Sequence, residues 1–343
     1  MILVTGGTGF IGQVLVQRFA EAGHEVRVLA RDVEKAEKLF GQRNKTKIEI
    51  VQGDVLDPDS IKNACSGVKA VVHLVGIICE IGRNTFEKMH VEATRNVVTA
   101  ATDAGVSRYL HMSAIGTRVH AQTNYHKTKW QAENIVRGSQ LQWTIFRPSV
   151  VYGAGDEMTR TLASLLDFPL NILTGFSMPC LGEGDALLGP VAVDEVAEAF
   201  LQALPNDRMF GREIDVIGPK LMYREMLVQI AKVKGLKAKF IDCHPVVLPA
   251  VALMTLLTGV NRVIVALPEV LCRVGAFACE VSGVLVVLGK LSEAGFPVPK
   301  LIPTQDVITM ANESQGGDDT ALREELGIHP QPFAEGIAAY LTK

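Results

Sequence analysis

The sequence lacks the signatures of metal sites and of nucleic-acid binding. Its six cysteines form no CxxC pair and have no zinc-like spacing with histidine, so we expect no metal ion and ordinary buried thiols in a reducing compartment. Basic residues do not exceed acidic ones, since 34 Lys/Arg face 37 Asp/Glu. This balance gives no general attraction to nucleic acid, and we expect no nucleic-acid partner.

The sequence also lacks a secretion signal and a membrane-spanning run. Met1–Val4 leads directly into a glycine-rich loop without the basic start of a signal peptide, so we expect a cytoplasmic protein. Pro245–Gly289 is unusually apolar, but it does not supply about 20 uninterrupted apolar residues for a transmembrane helix. Pro268 would divide it into two helices.

Two interpretations of this apolar segment stay open. Its four charged residues would share one narrow helical stripe, which suits a helical pair buried against the rest of the protein or against a protein partner. The other interpretation is a hydrophobic ligand channel or attachment to a membrane surface, which would make the protein peripheral to the inner face of a membrane. The charged residues are Arg262, Glu269, Arg273 and Glu280.

What the sequence does contain, over its first 150 residues, is an alternation of short apolar runs with amphipathic stretches. This alternation predicts an α/β fold, a Rossmann-type doubly wound parallel sheet with helices on both faces. Strands are predicted at Ile2–Val4, Glu25–Leu29, Ile48–Gln52, Ala70–Leu74, Arg108–Met112 and Trp143–Phe146. Helices are predicted at Phe10–Ala22, Val33–Leu39, Asp59–Ala64, Thr85–Ala104, Thr128–Val136 and Val193–Leu204.

The first predicted strand runs into a glycine-rich loop that opens a helix. Gly6 would permit the tight turn, Gly9 would let the backbone approach a pyrophosphate, and Gly12 would let the helix pack closely on the strand. The helix N-terminus offers N–H groups to phosphates. This context predicts a dinucleotide site, formed by Gly6, Thr8, Gly9, Phe10, Ile11 and Gly12.

The end of the second predicted strand discriminates between the two nicotinamide dinucleotides. An acidic residue there would bind the ribose 2′-OH, whereas an arginine can hold a 2′-phosphate. Arg31 occupies this place, and Asp32 follows it, so a shift of one residue would reverse the choice. The alternative for Arg31 is an ion pair with a surface carboxylate. We predict NADP(H) as the preferred cofactor, with NAD(H) as the alternative.

The domain division follows from where the alternation ends. We predict an NAD(P)-binding Rossmann domain over residues 1–150 and a smaller, mostly helical substrate or partner region over residues 151–343. The second region would be interleaved with the sheet domain and contain the apolar helical segment 245–289. Residues 1–150 carry 19 Lys/Arg against 14 Asp/Glu, and residues 151–343 carry 15 against 23, which favours an anionic ligand in the first domain.

Several further motifs resemble the extended and atypical short-chain dehydrogenase/reductases, which include NAD-dependent epimerases and dehydratases. HMSAIG at His111–Gly116 and FRPSVVYGAGD at Phe146–Asp156 are most similar to the branch with the nucleotide-binding accessory subunit of respiratory complex I and its bacterial relatives. The resemblance covers residues 1 to about 220. The cofactor contacts that it implies beyond the glycine loop are Asp54, Val55, Leu74, Val75, Gly76, Tyr125, Lys129, Pro148 and Val151.

The resemblance also implies a catalytic group of Ser113, Tyr125 and Lys129. Tyr125 and Lys129 match the YxxxK pair, and their spacing places them on one helix face. Lys129 should lower the pKa of Tyr125 and hydrogen-bond the nicotinamide ribose, while Ser113 would hydrogen-bond the substrate oxygen. On spacing alone, an ordinary surface helix is the alternative. His126 is expected to face solvent.

His90 departs from the family pattern. It stands where the family commonly has the asparagine that supports a proton-relay water. Its unperturbed pKa near neutrality would suit a proton shuttle, but we expect a structural hydrogen-bonding residue.

Three functions follow from these residues. The first is an oxidoreductase that reduces a hydrophobic carbonyl or quinone-like substrate with Tyr125 as acid/base. The second is a non-catalytic subunit or assembly factor that holds NADPH and uses 245–289 as an interface. A sugar-nucleotide epimerase or dehydratase is disfavoured, because the C-terminal half is net acidic and offers few basic residues for a diphosphate.

Overall fold

A seven-stranded parallel sheet organises the N-terminal part of the chain. The computed structural model describes residues 1–41, 47–164, 166, 177–181, 184–237, 239–243, 305–314 and 316–341. Six of the sheet strands lie where the sequence predicts them, and the seventh comes from the second half of the chain. The sheet strands are β1 (Ile2–Thr5), β2 (Val26–Ala30), β3 (Ile48–Gln52), β4 (Ala70–His73), β5 (Arg108–Met112), β6 (Gln142–Pro148) and β11 (Arg212–Val216).

The strand order is β11-β6-β5-β4-β1-β2-β3, and every neighbouring pair is parallel. The order reverses direction between β1 and β4, where Ile2 pairs with Ala70 and Thr5 with His73. In open parallel sheets, ligands bind beyond the carboxyl ends of the strands at this kind of reversal. The predicted fold class, a Rossmann-type doubly wound sheet, is confirmed.

Short strands and helices complete the described chain. The short strands are β7 (Val151–Tyr152), β8 (Ser177–Leu181), β9 (Leu187–Leu188), β10 (Val191–Ala192), β12 (Leu221–Met222) and β13 (Lys239–Cys243). The helices are α1 (Phe10–Glu21), α2 (Val33–Phe40), α3 (Pro58–Cys65), α4 (Ala93–Asp103), α5 (Asn124–Arg137), α6 (Glu157–Ser164), α7 (Val193–Ala203), α8 (Tyr223–Val233), α9 (Gln305–Asn312) and α10 (Phe333–Leu341).

Two predicted helices differ from the structure. The stretch Thr85–Ala104 is a π-helical segment, Glu87–Glu92, followed by α4. Helix α5 begins at Asn124 rather than Thr128, because the Thr123 hydroxyl accepts a hydrogen bond from the backbone N–H of His126 and caps the helix one turn earlier. Tyr125 therefore lies in the first turn of α5.

The chain divides into two compact units. The first contains Met1–Asp156, Leu187–Leu221 and Glu313–Tyr340. Its core packs on both faces of the sheet, and Leu322 and Ile328 near the C-terminus belong to one of these clusters. The second unit contains Glu157–Ala186, Met222–Asn312 and Leu341–Lys343. Within it, β8 pairs in parallel with β13. The division into domains at residue 150 stays a prediction.

The apolar segment Pro245–Gly289 lies outside the described residues, so its predicted roles as core, partner interface or membrane contact stay open. Among the helices that the structure describes, none combines the length and apolar character needed to cross a bilayer.

Candidate functional site

The glycine-rich loop forms a tight turn between β1 and α1. Gly6 has a φ angle of 77°, and a Cβ atom there would lie 3.1 Å from the backbone of Leu74 and Val75. The Gly9 N–H donates to the Gly6 carbonyl oxygen at 3.0 Å, which closes the turn. The first-turn N–H groups of an α-helix have no intrahelical partner and commonly bind phosphate.

Gly12 lies buried where α1 packs against this turn. A Cβ atom on Gly12 would lie 2.7 Å from the Cα atom of Gly7 and closer still to the carbonyl oxygen of Gly6. Only glycine therefore lets α1 start this close to the strand. Thr8, Phe10 and Ile11 are half-buried around the loop, and Gly9 is exposed. A glycine turn of this kind, which opens a helix after a strand, is typical of dinucleotide pyrophosphate sites.

The ends of β2 and β3 lie at the same edge of the parallel sheet as the loop. Arg31 is exposed directly after β2, whereas the Asp32 carboxylate accepts a hydrogen bond from the Lys35 N–H at 2.9 Å and caps α2. The Asp32 carboxylate thus takes part in a helix cap, and both Arg31 and Asp32 are exposed after the strand. After β3, the Asp54 carboxylate accepts from the Leu56 N–H at 3.0 Å, and Val55 is buried.

The end of β4 lies between the glycine loop and α5. The Leu74 N–H donates to the Thr5 carbonyl at 3.1 Å, which continues the β1–β4 ladder. Val75 and Gly76 follow, and Gly76 lies next to the Lys129 ammonium. A Cβ atom on Gly76 would lie 2.8 Å from Lys129 Nζ. A side chain at residue 76 would displace this ammonium.

The ends of β5 and β6 hold the predicted catalytic serine. Ser113 is buried, its N–H donates to the Phe146 carbonyl at 2.7 Å, and its hydroxyl lies 3.4 Å from that of Thr117. The backbone of this loop stays attached to β6, because the Ile115 N–H donates to the Pro148 carbonyl at 2.9 Å. Ser113 thus follows β5, and Pro148 is the last residue of the adjacent strand β6. Val151, three residues beyond Pro148, is half-buried in β7.

Lys129 is buried within unit 1. Its ammonium donates to the Met112 carbonyl at 3.2 Å, directly before Ser113 in the chain. Burial lowers the pKa of Lys129 from 10.5 to about 8, while the carboxylate of Glu133 acts in the opposite direction. The ammonium therefore lies near the ends of both β4 and β5.

Tyr125 differs from the sequence expectation in its acidity. Burial raises the pKa of Tyr125 to about 12, whereas we expected Lys129 to lower it. The ring packs edge-on against Phe86, His90 and His126, with centroids 5.8, 5.4 and 5.2 Å away. Desolvation of the phenolate is the physical cause of the raised pKa. His126 is buried, not solvent-facing as expected.

His90 is held by hydrogen bonds on both ring nitrogens. Nδ1 lies 2.9 Å from the Thr128 hydroxyl, and Nε2 lies 3.0 Å from the Ile77 carbonyl oxygen and 3.2 Å from the Ile77 nitrogen. Burial, with a smaller contribution from Lys129, lowers the pKa of His90 to about 2. These contacts favour the structural role over a proton shuttle, because the ring joins the loop after β4 to α5.

Two further buried histidines were not singled out from the sequence. His73 Nδ1 lies 2.7 Å from the Thr5 hydroxyl and its Nε2 3.2 Å from that of Thr94. His111 stacks on His73 with ring centroids 5.6 Å apart, and within the described residues neither of its nitrogens has a hydrogen-bond partner. Burial lowers the pKa of both rings.

The ionic contacts around the site were not predicted from the sequence. Glu133, one helical turn after Lys129, is fully buried against arginine side chains; the i,i+4 spacing was the available signal. Arg118, in the loop after β5, forms an ion pair with Glu313. No sequence pattern indicates that pair, because its members are separated by 195 residues.

The described residues contain no cluster of three or more His, Cys, Asp or Glu side chains suited to a metal ion.

Comparisons with known proteins identify the family that the N-terminal part of the chain resembles. Residues 6–165 match a family described as NAD(P)H-binding. Subunit 9 of the NADH dehydrogenase [ubiquinone] 1 alpha subcomplex of Arabidopsis thaliana is 29% identical over 232 residues, which cover 66% of this chain and 56% of that protein. A ceramide reductase of Caulobacter vibrioides is 29% identical over 165 residues, or 48% of this chain and 50% of that protein. The chain thus spans about half the length of these relatives. The resemblance expected from the motifs is confirmed.

A solved structure of low sequence identity shares the fold. The NADPH-dependent quinone oxidoreductase of Escherichia coli, crystallised with NADPH, has a TM-score of 0.68 and 16% identity, with 99% of each chain covered.

Proposed function

From the match of residues 6–165 to a family described as NAD(P)H-binding, we propose that this chain is an NADP(H)-dependent reductase of a hydrophobic carbonyl or quinone-like substrate. The observation that carries the proposal is the position of Lys129. Its ammonium lies beside Gly76 at the end of β4 and on the carbonyl of Met112 at the end of β5. A buried cation at this edge of the sheet can stabilise negative charge on a bound group or on a reacting oxygen.

The protonation state of Tyr125 favours reduction. With a pKa of about 12, Tyr125 carries its proton at neutral pH and can act as a general acid. It would donate this proton to the carbonyl oxygen of the substrate, while the Ser113 hydroxyl would orient the same oxygen. A bound nicotinamide cofactor would supply the hydride. Lys129 would hydrogen-bond the nicotinamide ribose, as the resemblance implies.

The cofactor choice rests on Arg31. Its exposed side chain directly follows β2, and one oxygen of the neighbouring, also exposed Asp32 carboxylate caps α2. A guanidinium suits a 2′-phosphate, because it donates several hydrogen bonds in one plane. NADPH should therefore bind more tightly than NADH.

The substrate class rests on composition and on likeness. The half of the chain after residue 150 is net acidic, which does not suit a sugar-nucleotide diphosphate. The named activities of two similar proteins, a ceramide reductase and a quinone oxidoreductase, are consistent with an apolar carbonyl or quinone substrate for this chain.

The test is a substitution of the proposed acid. NADPH consumption is measured with a panel of apolar ketones and quinones for wild type, Tyr125→Phe and the control Tyr109→Phe, which removes a buried hydroxyl from β5. We expect Tyr125→Phe to lower kcat/KM by about 10²–10⁴-fold with NADPH affinity retained, while Tyr109→Phe keeps wild-type turnover. Equal turnover by wild type and Tyr125→Phe would contradict the assignment.

A second candidate is a non-catalytic NADPH-holding subunit or assembly factor. The similarity to complex I subunits favours it. Exchange of bound labelled NADPH against an excess of unlabelled NADPH separates the two proposals. Exchange within seconds is compatible with turnover. Retention for hours would indicate a structural cofactor, and it would favour a role in binding a protein or membrane partner.

A further inference from the structure

Glu133 is a fully buried carboxylate on α5. The Arg147 guanidinium donates to it twice, from Nε to Oε1 at 2.8 Å and from Nη2 to Oε2 at 2.7 Å. Arg137 Nη2 donates to the same carboxylate at 2.5 Å. Two arginines on one buried carboxylate fix both its charge and its orientation, since each guanidinium presents donors in a rigid plane.

The same arginines continue to a second carboxylate. Arg137 Nε lies 2.6 Å from Glu213 Oε1, and Arg147 Nη2 lies 2.8 Å from Glu213 Oε2. Glu213 is on β11 and Arg147 is on β6. This network therefore fastens α5, which carries Tyr125 and Lys129, to two strands of the sheet. It has two carboxylates and two guanidinium groups, and only Glu133 among them is completely buried.

Glu133 is also the carboxylate that acts on Lys129. It lies one turn farther along the same helix, and among the charged groups it is the one that opposes the effect of burial on the lysine pKa. The other titratable neighbours do not supply negative charge at neutral pH. His73, His90 and His111 have pKa values well below neutrality, and Tyr125 has a pKa of about 12.

We propose that Glu133 is a positioning residue, which Arg147 and Arg137 hold in place so that Lys129 stays a cation at the ends of β4 and β5. The inference rests on the proposed function in taking Lys129 as the ammonium of the reductase site. Without the Glu133 carboxylate, desolvation acts on Lys129 unopposed. The lysine would then lose its proton at lower pH, and the site would lose its buried cation.

The titration of Lys129 tests this directly and needs no substrate. Full-length protein is labelled with ¹³C/¹⁵N-lysine, and the Lys129 resonance is assigned from its loss in Lys129→Arg. Glu133→Gln keeps the side-chain shape. In this variant we expect the midpoint of the Lys129 titration to fall by about one pH unit, the size of shift that a nearby opposite charge produces. The matched control is Glu213→Gln, which removes the other carboxylate of the same arginines and should leave the midpoint close to wild type.

The outcomes separate positioning from simple structure. A lower midpoint in Glu133→Gln alone supports the proposal, while equal midpoints in wild type and Glu133→Gln would overturn it, as would equal shifts in both variants. If Glu133→Gln does not fold, Glu133→Gln/Arg147→Gln removes the unpaired arginine and is judged by the same midpoint. In the reductase assay, the alkaline limb of kcat/KM should move with the midpoint. A shifted midpoint in a protein without turnover would refute the proposed function and leave the inference standing.

Discussion

At the scale of single residues, the buried ammonium of Lys129 destabilises the folded protein. Its pKa falls from 10.5 to about 8 on burial, so the folded state releases the proton near pH 8 while the unfolded chain holds it to about pH 10.5. Between these values the unfolded state binds more protons, and stability rises with pH. Below pH 8 the buried ammonium costs about 3 kcal/mol, at 1.36 kcal/mol for each pH unit of difference.

Lys129→Met should therefore stabilise the protein while it abolishes reductase activity. We expect the free energy of unfolding at pH 7 to rise by about 1–3 kcal/mol, less than the full penalty because Glu133 loses a neighbouring cation. The gain should shrink between pH 8 and 10.5. Urea unfolding at pH 7 and pH 9.5 measures it, with the exposed Lys127→Met on the same helix as control. A less stable Lys129→Met protein at pH 7 would refute this account.

At the scale of elements, the position of the first turn of α1 depends on a glycine, Gly12. The helix packs so closely on the glycine loop that a Cβ on Gly12 would collide with the backbone of Gly6 and Gly7. This packing brings the helix N-terminus beside the β1–β4 reversal, where a pyrophosphate is expected.

Gly12→Ala should push α1 away from β1. Overpacking of this kind costs about 1–3 kcal/mol, and NADPH affinity should fall together with the melting temperature. Gly316→Ala is the matched control, because in the described part of the chain no heavy atom beyond the chain neighbours lies within 4 Å of a Cβ atom there. Thermal unfolding and an NADPH titration of both variants decide the matter. Equal behaviour of the two alanine variants would contradict the role of Gly12.

At the scale of the whole molecule, burial of three neutral histidines determines the acid limit of stability. His73 and His90 have pKa values of about 3 and 2, and the pKa of His111 is also well below 6.5. In the unfolded chain each takes up a proton near pH 6.5. The unfolded state therefore gains protons that the folded state does not, and stability falls as the pH drops below about 6.5.

Together, these three histidines should lower the free energy of unfolding by about 4 kcal/mol for each pH unit below pH 5.5, at about 1.4 kcal/mol for each proton. His111→Phe keeps an aromatic ring against His73 and should reduce this slope by about one proton. The exposed His120→Gln should leave it unchanged. Urea unfolding at several values between pH 7 and pH 5 provides the slope. A His111→Phe slope equal to that of wild type would refute the assignment.

The sequence alone determined the elements whose signals are local. Six sheet strands, the glycine loop and the fold class could be predicted, because side-chain period and glycine spacing reflect local backbone geometry. The position of Lys129 relative to Tyr125 also followed, since residues four apart share a helix face. β11 could not be assigned in the same way, because its place beside β6 is set by a pairing between distant parts of the chain.

Tertiary structure decided what depends on desolvation and on distant partners. The raised pKa of Tyr125 and the buried position of His126 reversed sequence expectations, because burial is a property of the packed molecule and not of a motif. The same reason applies to Glu133, whose arginine on β6 and second carboxylate on β11 meet only after α5 has packed on the sheet. Local pattern specifies which residues are present at the site, and packing sets their charge.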